Sequence, residues 1–237
     1  MDFTRAWNFS GKETDIGHPM SVIIPMMIDR KNIHWLIAVV MLLLTGCAEK
    51  GPVLLGNIKY QAPEKTVAGS PKTVVGVSPF KDLRGANASV LGKRTIRNYI
   101  ENDLVVQGTV ADLVTGAFKD ALRSRGFAVK DAPTWDMKTE TIADDGFDVL
   151  IGGEIKTLWV EVTSEPLKVQ ERADVQLRVS AADPSGKTIF KTLNMNSKLE
   201  RQDVAFSFDA VEGMLSEALS SAINQLLKDD EFKNKIK

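Results

Sequence analysis

Cysteine and histidine are nearly missing from this chain. Cys47 is the single cysteine among 237 residues, and both histidines, His18 and His34, precede it. From Cys47 onward there is no histidine and no second thiol. That excludes an intrachain disulfide, Cys-His or Ser-His-Asp catalysis and a histidine-bearing zinc site from this part of the chain. Carboxylates, Lys, Tyr and hydroxyls are what remain for chemistry, and no cofactor is expected. A charge excess is missing as well: 30 basic residues face 31 acidic ones, and 26 face 27 after residue 46. Nucleic-acid binding needs a marked basic excess or a basic stripe, so no nucleic-acid partner is expected. Long apolar runs are scarce too. The run Trp35–Leu44 has ten residues, about half of the roughly 20 that a spanning helix needs. Hydrophobic residues nevertheless make up 43% of the chain, enough for a packed core.

The surroundings of that short run carry the clearest signal. Arg30 and Lys31 precede it, Leu44-Thr45-Gly46-Cys47 end it, and Glu49, Lys50, Gly51 and Pro52 follow. A basic opening, a core of about 7 to 15 apolar residues and a small-residue end make a secretory signal. This stretch resembles the bacterial lipoprotein signal, in which Leu, a small residue, Gly and Cys are cut before the Cys after its thiol has received a diacylglycerol. The resemblance implies cleavage between Gly46 and Cys47, lipid on Cys47, and the membrane as a partner through that anchor. Two or more acyl chains hold a protein durably on a bilayer. Ala48, in place of Asp, implies the periplasmic face of the outer membrane in a diderm cell. Residues 27–46 then form the signal peptide. Residues 1–26 are an upstream extension or a mis-assigned start, since Met27-Ile28-Asp29-Arg30-Lys31 is itself a conventional charged opening.

Residues 47–71, punctuated by Gly51, Pro52, Gly56, Pro63, Gly69 and Pro71, read as a lipidated tether, with apolar patches at 53–55 and 58–60 able to lie along the domain's edge. Residues 72–237 read as one domain. Thr73–Ser78 is a β-branched strand covered on both faces. Lys81–Gly108 is the longest irregular stretch, combining Lys93, Arg94 and Arg97 with Tyr99 and Ile100. Long loops on rigid scaffolds often carry binding groups, so Lys93, Arg94, Arg97 and Tyr99 are the candidate partner-binding residues. Val110, Leu113, Val114, Ala117, Phe118, Ala121 and Leu122 recur at helical spacing, with Thr109 to cap them and Gly126 to stop them. Phe127–Val129 then completes a βαβ unit, whose strands should be parallel.

Asp131–Phe147 is polar and loop-like. Asp148–Thr163 is a long strand whose apolar parity shifts after Ile155, which means a bulge or a switch of buried face, and Gly152-Gly153 marks a close approach. Ala173–Ala181 alternates cleanly, Asp183–Gly186 turns the chain, and Lys187–Leu199 returns. A last amphipathic helix opens at Asp209 with Glu212 three residues on. The expected fold is an α/β (α+β) two-layer sandwich: a mixed sheet of about five strands with two amphipathic helices on one face, in the order β-α-β-β-β-β-α.

Several motifs fail their context. Ser185-Gly186-Lys187-Thr188 ends like a phosphate loop, but position 181 is Ala181 and a strand follows rather than a helix. Asp144, Asp145 and Asp148 lack the spacing of a calcium loop. Glu154 and Glu161 are no more a hydrolase pair than many others among 27 acids, and Trp159 reads as a half-buried sheet residue rather than a ligand platform. With the signal, the strand Val74–Phe80, the helix ending in Leu122-Arg123-Ser124-Arg125-Gly126-Phe127-Ala128-Val129, the strand Asp148–Val162 and the closing helix together, the chain resembles the YajG-type bacterial lipoproteins. That resemblance implies no catalytic residues and no settled activity. The function expected is that of a non-enzymatic envelope lipoprotein that binds a protein partner or supports envelope assembly or transport. The alternative is a lipid- or glycan-binding accessory holding an amphiphile between helices and sheet.

Overall fold

The longest alternating apolar pattern in the sequence becomes the spine of the sheet. The computed structural model describes residues 51–63, 73–97 and 100–236. Nine strands occur among them: β1 (Val53–Leu55), β2 (Val74–Val77), β3 (Lys81–Asp82), β4 (Val90–Ile96), β5 (Ile100–Val106), β6 (Ala128–Asp131), β7 (Val149–Glu165), β8 (Lys168–Asp183) and β9 (Thr188–Asp203). The helices are α1 (Val110–Ser124), α2 (Phe208–Lys228) and α3 (Asp230–Lys235). Along one edge, β7 takes β2, β3 and β4 in succession, all parallel; along the other it pairs with β8 over its length, and β8 with β9. β6 joins β2, while β5 and then β1 join β4. The result is a mixed α+β fold on a curled, half-barrel sheet.

Two layers are present, but the strand number and order differ from the expected five. The stretch Lys81–Gly108 is no loop: it holds β3 and the β4–β5 hairpin. Expected features that do occur include the parallel β2–α1–β6 unit and the Thr109 cap, whose Oγ1 accepts from Asp112 N at 3.0 Å. Gly126 ends α1 in the left-handed region at φ 88°. The parity shift in β7 is a bulge between Ile155 and Thr157. It returns Leu158, Val160 and Val162 to the face that Ile151 and Ile155 occupy, and all five are buried. The close approaches at Gly152 and Gly153 also have their cause. A Cβ at 152 would lie 2.8 Å from the Trp135 ring and one at 153 would lie 2.4 Å from Phe80.

Helices α1 and α2 cover one face of the sheet over a continuous core that includes Leu91, Leu104, Phe118, Ile155, Leu158, Val179, Met195, Leu215 and Ile223. Among the described residues the opposite face is covered at one end. There the segment after β6 lays Trp135, Ile142 and Phe147 over Leu150 and Ala182, so β2 is indeed buried on both sides. The last helix begins two residues earlier than expected, capped by Ser207 rather than Asp209, and the Ser207 side chain accepts from Ala210 N. Glu212 is therefore free of a capping role. It is buried and accepts from Gly56 N at 2.6 Å.

That bond belongs to a row that fixes part of the expected tether. Lys59 N donates to Ser216 Oγ, Gln61 N to Ser220 Oγ and Tyr60 OH to Asn224 Oδ1. Ile58 and Tyr60 are buried. The apolar patches at 53–55 and 58–60 thus do lie along the domain, and the chain is docked from β1 to residue 61. Residues 1–50, including Gly46 and Cys47, lie outside the described residues.

Candidate interaction surface

The basic residues of the β4–β5 hairpin part company, because neighbouring strand residues face opposite sides. Lys93 is paired in register with Glu161 and Asp103 on the sheet face away from the helices. Arg94 faces the helices. Its guanidinium lies 3.6 Å from the centre of the Phe206 ring, Nε donates to Ser164 Oγ, and burial lowers its pKa from the ordinary value. Arg97 is exposed at the hairpin turn, where its φ is 48°. Tyr99 lies outside the described residues. Lys93, Arg94 and Arg97 therefore do not make one patch.

This division has a measurable consequence. Arg94→Ser is expected to lower the free energy of unfolding by about 1 to 2 kcal/mol through loss of the stacked cation–π contact. Arg97→Ser should leave the urea midpoint nearly unchanged, since a solvated charge contributes little. Equal midpoints for the two variants would show that Arg94 does no packing.

The outward face of the hairpin continues into the rest of the sheet. Register places Asp103, Lys93, Glu161, Arg172 and Glu200 in one line across β5, β4, β7, β8 and β9. Signs alternate along the whole line, and cross-strand pairs of opposite charge contribute roughly 0.2 to 1 kcal/mol each. Arg172 Nε reaches Glu200 Oε1 at 3.6 Å. In the next row Lys198 meets Asp174 at 3.4 Å, with Trp159 beside Asp174 in register. Trp159 is half-buried, as expected, between two shallow depressions. Thr157, Glu161, Arg172 and Asp174 line one; Arg84, Gly85, Ala86 and Lys156 line the other. Glu154 and Glu161 stand on this same face, but Glu154 is bound to Lys156 and Glu161 lies within the charged row, an arrangement of paired charges rather than a poised acid and base.

Two groups that sequence reasoning did not single out are more unusual. The Arg84 side chain, 3% exposed, holds both oxygens of Asp82 and the carbonyls of Val90 and Leu158. Glu171 on β8 is 2% exposed, and neither carboxylate oxygen has a hydrogen-bond partner. Burial pushes its pKa up, the nearby charge of Asp203 adds to this, and Arg201 opposes it. A raised pKa means that the folded state binds more protons than the unfolded chain just above the ordinary carboxylate range. Stability accordingly falls as pH rises through that window. Glu171→Met is expected to gain about 1 to 3 kcal/mol at neutral pH, the cost of an unsatisfied buried group. The gain should shrink as pH falls through the window; a pH-independent gain would mean that packing, not charge, is responsible.

The Ser185–Thr188 motif is a plain turn. Asp183 accepts from Gly186 N and Ser185 Oγ and pairs with Lys235 at 2.8 Å, and these contacts hold its carboxyl far below the usual range. Among the described residues no group of three or more His, Cys, Asp or Glu is placed to hold a metal ion, and no helix is long and apolar enough to cross a membrane.

The sequence profile of a family described as uncharacterized lipoprotein matches residues 79–237, from the end of β2 through α3. The chain belongs to this family. Membership indicates a cell-envelope location. No curated relative matches the sequence. Among solved structures, protein XCC0632 from Xanthomonas campestris is similar at 10% identity, covering 77% of this chain and 97% of its own, with a TM-score of 0.51. The hypothetical protein CT253 from Chlamydia trachomatis is similar at 12% identity, over 68% and 96%, TM-score 0.42. Lipoprotein GNA1162 from Neisseria meningitidis is similar at 13% identity, over 66% and 99%, TM-score 0.35. The Xanthomonas likeness is one of fold.

Proposed function

We propose that this lipoprotein is of the YajG type, is cleaved after Gly46 and acylated on Cys47, sits at the periplasmic face of the outer membrane, and acts by binding a protein partner rather than by catalysis. The observation that carries the binding role is the outer edge of the sheet. β9 is a 16-residue strand whose one strand partner among the described residues is β8. On its other side Asn196 exchanges backbone hydrogen bonds with the Gln225 side chain, and the side chains of Lys191 and Arg201 pair with Asp229 and Glu231 and with Glu217, so most of the strand's length keeps its backbone edge without a strand partner among the described residues. A long strand edge is a template for a partner's strand, and the alternating charges beside it supply register and specificity. An amphiphile held between helices and sheet is less well supported. That interface is filled by Phe80, Leu91, Phe118, Leu158 and Leu215.

Two measurements test the reading. Labelled palmitate should enter the wild type and not Cys47→Ser; equal labelling would remove the anchor. A photo-crosslinking residue at Lys198, on β9, should trap a partner in intact cells, while one at Asp120, on the exposed side of α1, should not. Identical adducts from both positions would locate recognition elsewhere.

A further inference from the structure

One end of the sheet gathers apolar side chains that the described residues leave wholly or half exposed, Phe208 meeting only the edge of Phe206. The β7–β8 hairpin turns there through Pro166 and Leu167, and β9 ends beside it, with Val169 opposite Asp203. The connection from β9 to α2 crosses the same end. Leu167 is 87% exposed, Val204 77% and Phe208 48%. Of the five large hydrophobic residues exposed among the described residues, these three share this end. Exposed large apolar side chains gathered at one end, rather than scattered singly, mark a surface that something covers.

The path of the chain says what does. β1 runs parallel to β5, and the Gly51 carbonyl accepts from the Asn102 side chain at 3.0 Å. Asn102 is paired with Arg94 two residues before Ile96, which lies opposite Ser164 beside the β7–β8 turn. The chain therefore enters the domain near the end that carries Leu167, Val204 and Phe208. Only four peptide steps separate Cys47 from Gly51, at most about 14 Å when fully extended. The first described segment is docked, so the domain has little slack with which to stand away from an anchor at Cys47.

We infer that this end of the domain rests in the bilayer that holds the anchor, with Leu167, Val204 and Phe208 entering the headgroup region. Arg97 and Lys168 lie at the same end and suit lipid phosphates, although Glu165 and Asp203 are there too. Apolar insertion, rather than charge, is thus the main contribution. The long axis of β7–β9 then stands off the membrane, and the turn at Ser185 lies at the far end of β8, about 50 Å along a 16-residue strand. This posture presents the β9 edge to the periplasm. The inference rests on acylation of Cys47.

The test uses the full, lipid-bearing protein in vesicles of phosphatidylethanolamine and phosphatidylglycerol. A single thiol introduced as Leu167→Cys, Val204→Cys or Ser185→Cys is labelled with an environment-sensitive dye, and lipids carrying a shallow spin label serve as quencher. An acylated Cys47 cannot take the dye, so a labelled wild type would show that the anchor reading has failed, separately from docking. With the anchor in place, the dye at 167 and 204 should shift to the blue and be quenched several-fold more than at 185. Equal quenching at all three sites, or a blue shift at 167 and 204 without quenching, as a protein partner covering this end would give, overturns the inference.

Discussion

Phe118→Ala is expected to destabilise the domain by about 3 to 5 kcal/mol, read as a lower urea midpoint with an unchanged slope. The ring is 1% exposed and stacks on Phe80, with centroids 4.6 Å apart. Phe80 cannot slide into the space that the truncation leaves. Its backbone N–H is held by Thr115 Oγ1 at 3.0 Å, and its ring lies against Gly153, where even one added carbon would lie at 2.4 Å. Helix α1, the strand end after β2 and the spine strand β7 thus meet at one stack of two rings and a glycine. The cost of a truncated core side chain depends on how far its neighbours can collapse, and here they are fixed on both sides. A loss below about 1 kcal/mol would mean that the α1 stripe does not pack as the structure has it.

That stack also shows which parts of the fold the sequence announces. The α1 stripe is a local pattern with period 3.6, capped by Thr109 and ended by Gly126, and its reading needs no knowledge of the rest of the chain. The bulge in β7 is legible for the same reason, because a change of apolar parity within one strand has few other causes. Residues 90–106 are illegible by that method. Val90-Leu91-Gly92-Lys93-Arg94-Thr95-Ile96 does not alternate, since Arg94 faces the helices and is accepted there by the Phe206 ring and the Ser164 hydroxyl. Gly92 reads as a loop residue. It is required instead by the close approach of β7, as a Cβ there would lie 1.9 Å from the Val160 carbonyl oxygen. Both explanations come from residues some 70 to 110 positions away, beyond any local window. The candidate surface suffers most from this: Lys93, Arg94 and Arg97 are neighbours in sequence but are spread over two faces and a turn. The charged row from Asp103 to Glu200 exists only once five strands are in register.

Arg84→Ala should be about as damaging as the loss of Phe118, for an electrostatic reason rather than a packing one. Arg84 Nε and Nη2 grip the two Asp82 oxygens at 2.9 and 2.8 Å, while Nη1 reaches the Val90 carbonyl at 2.6 Å and that of Leu158 at 3.2 Å. One side chain thereby ties β3, the start of β4 and the middle of β7 across the connection that carries the chain from one to the next. Removing it leaves a largely buried carboxylate and two carbonyls without their donor, and breaking a buried pair in this way typically costs about 3 to 5 kcal/mol. Arg84→Lys should recover only part of the loss, because one ammonium cannot reproduce the planar fork toward Asp82 and reach both carbonyls as well. The effect also has a pH signature. Hydrogen bonds from Arg84 hold the Asp82 carboxyl below its ordinary range, with burial partly opposing them. A lowered folded-state pKa gives stability that is present above the ordinary carboxylate range and is lost as pH falls through the folded value. The gap between wild type and Arg84→Ala should therefore be widest near neutral pH and narrow in acid. If the gap is constant from pH 7 down to about 3, well below the ordinary Asp value near 3.9, the Asp82 pair contributes nothing. The two carbonyl contacts would then account for the whole effect.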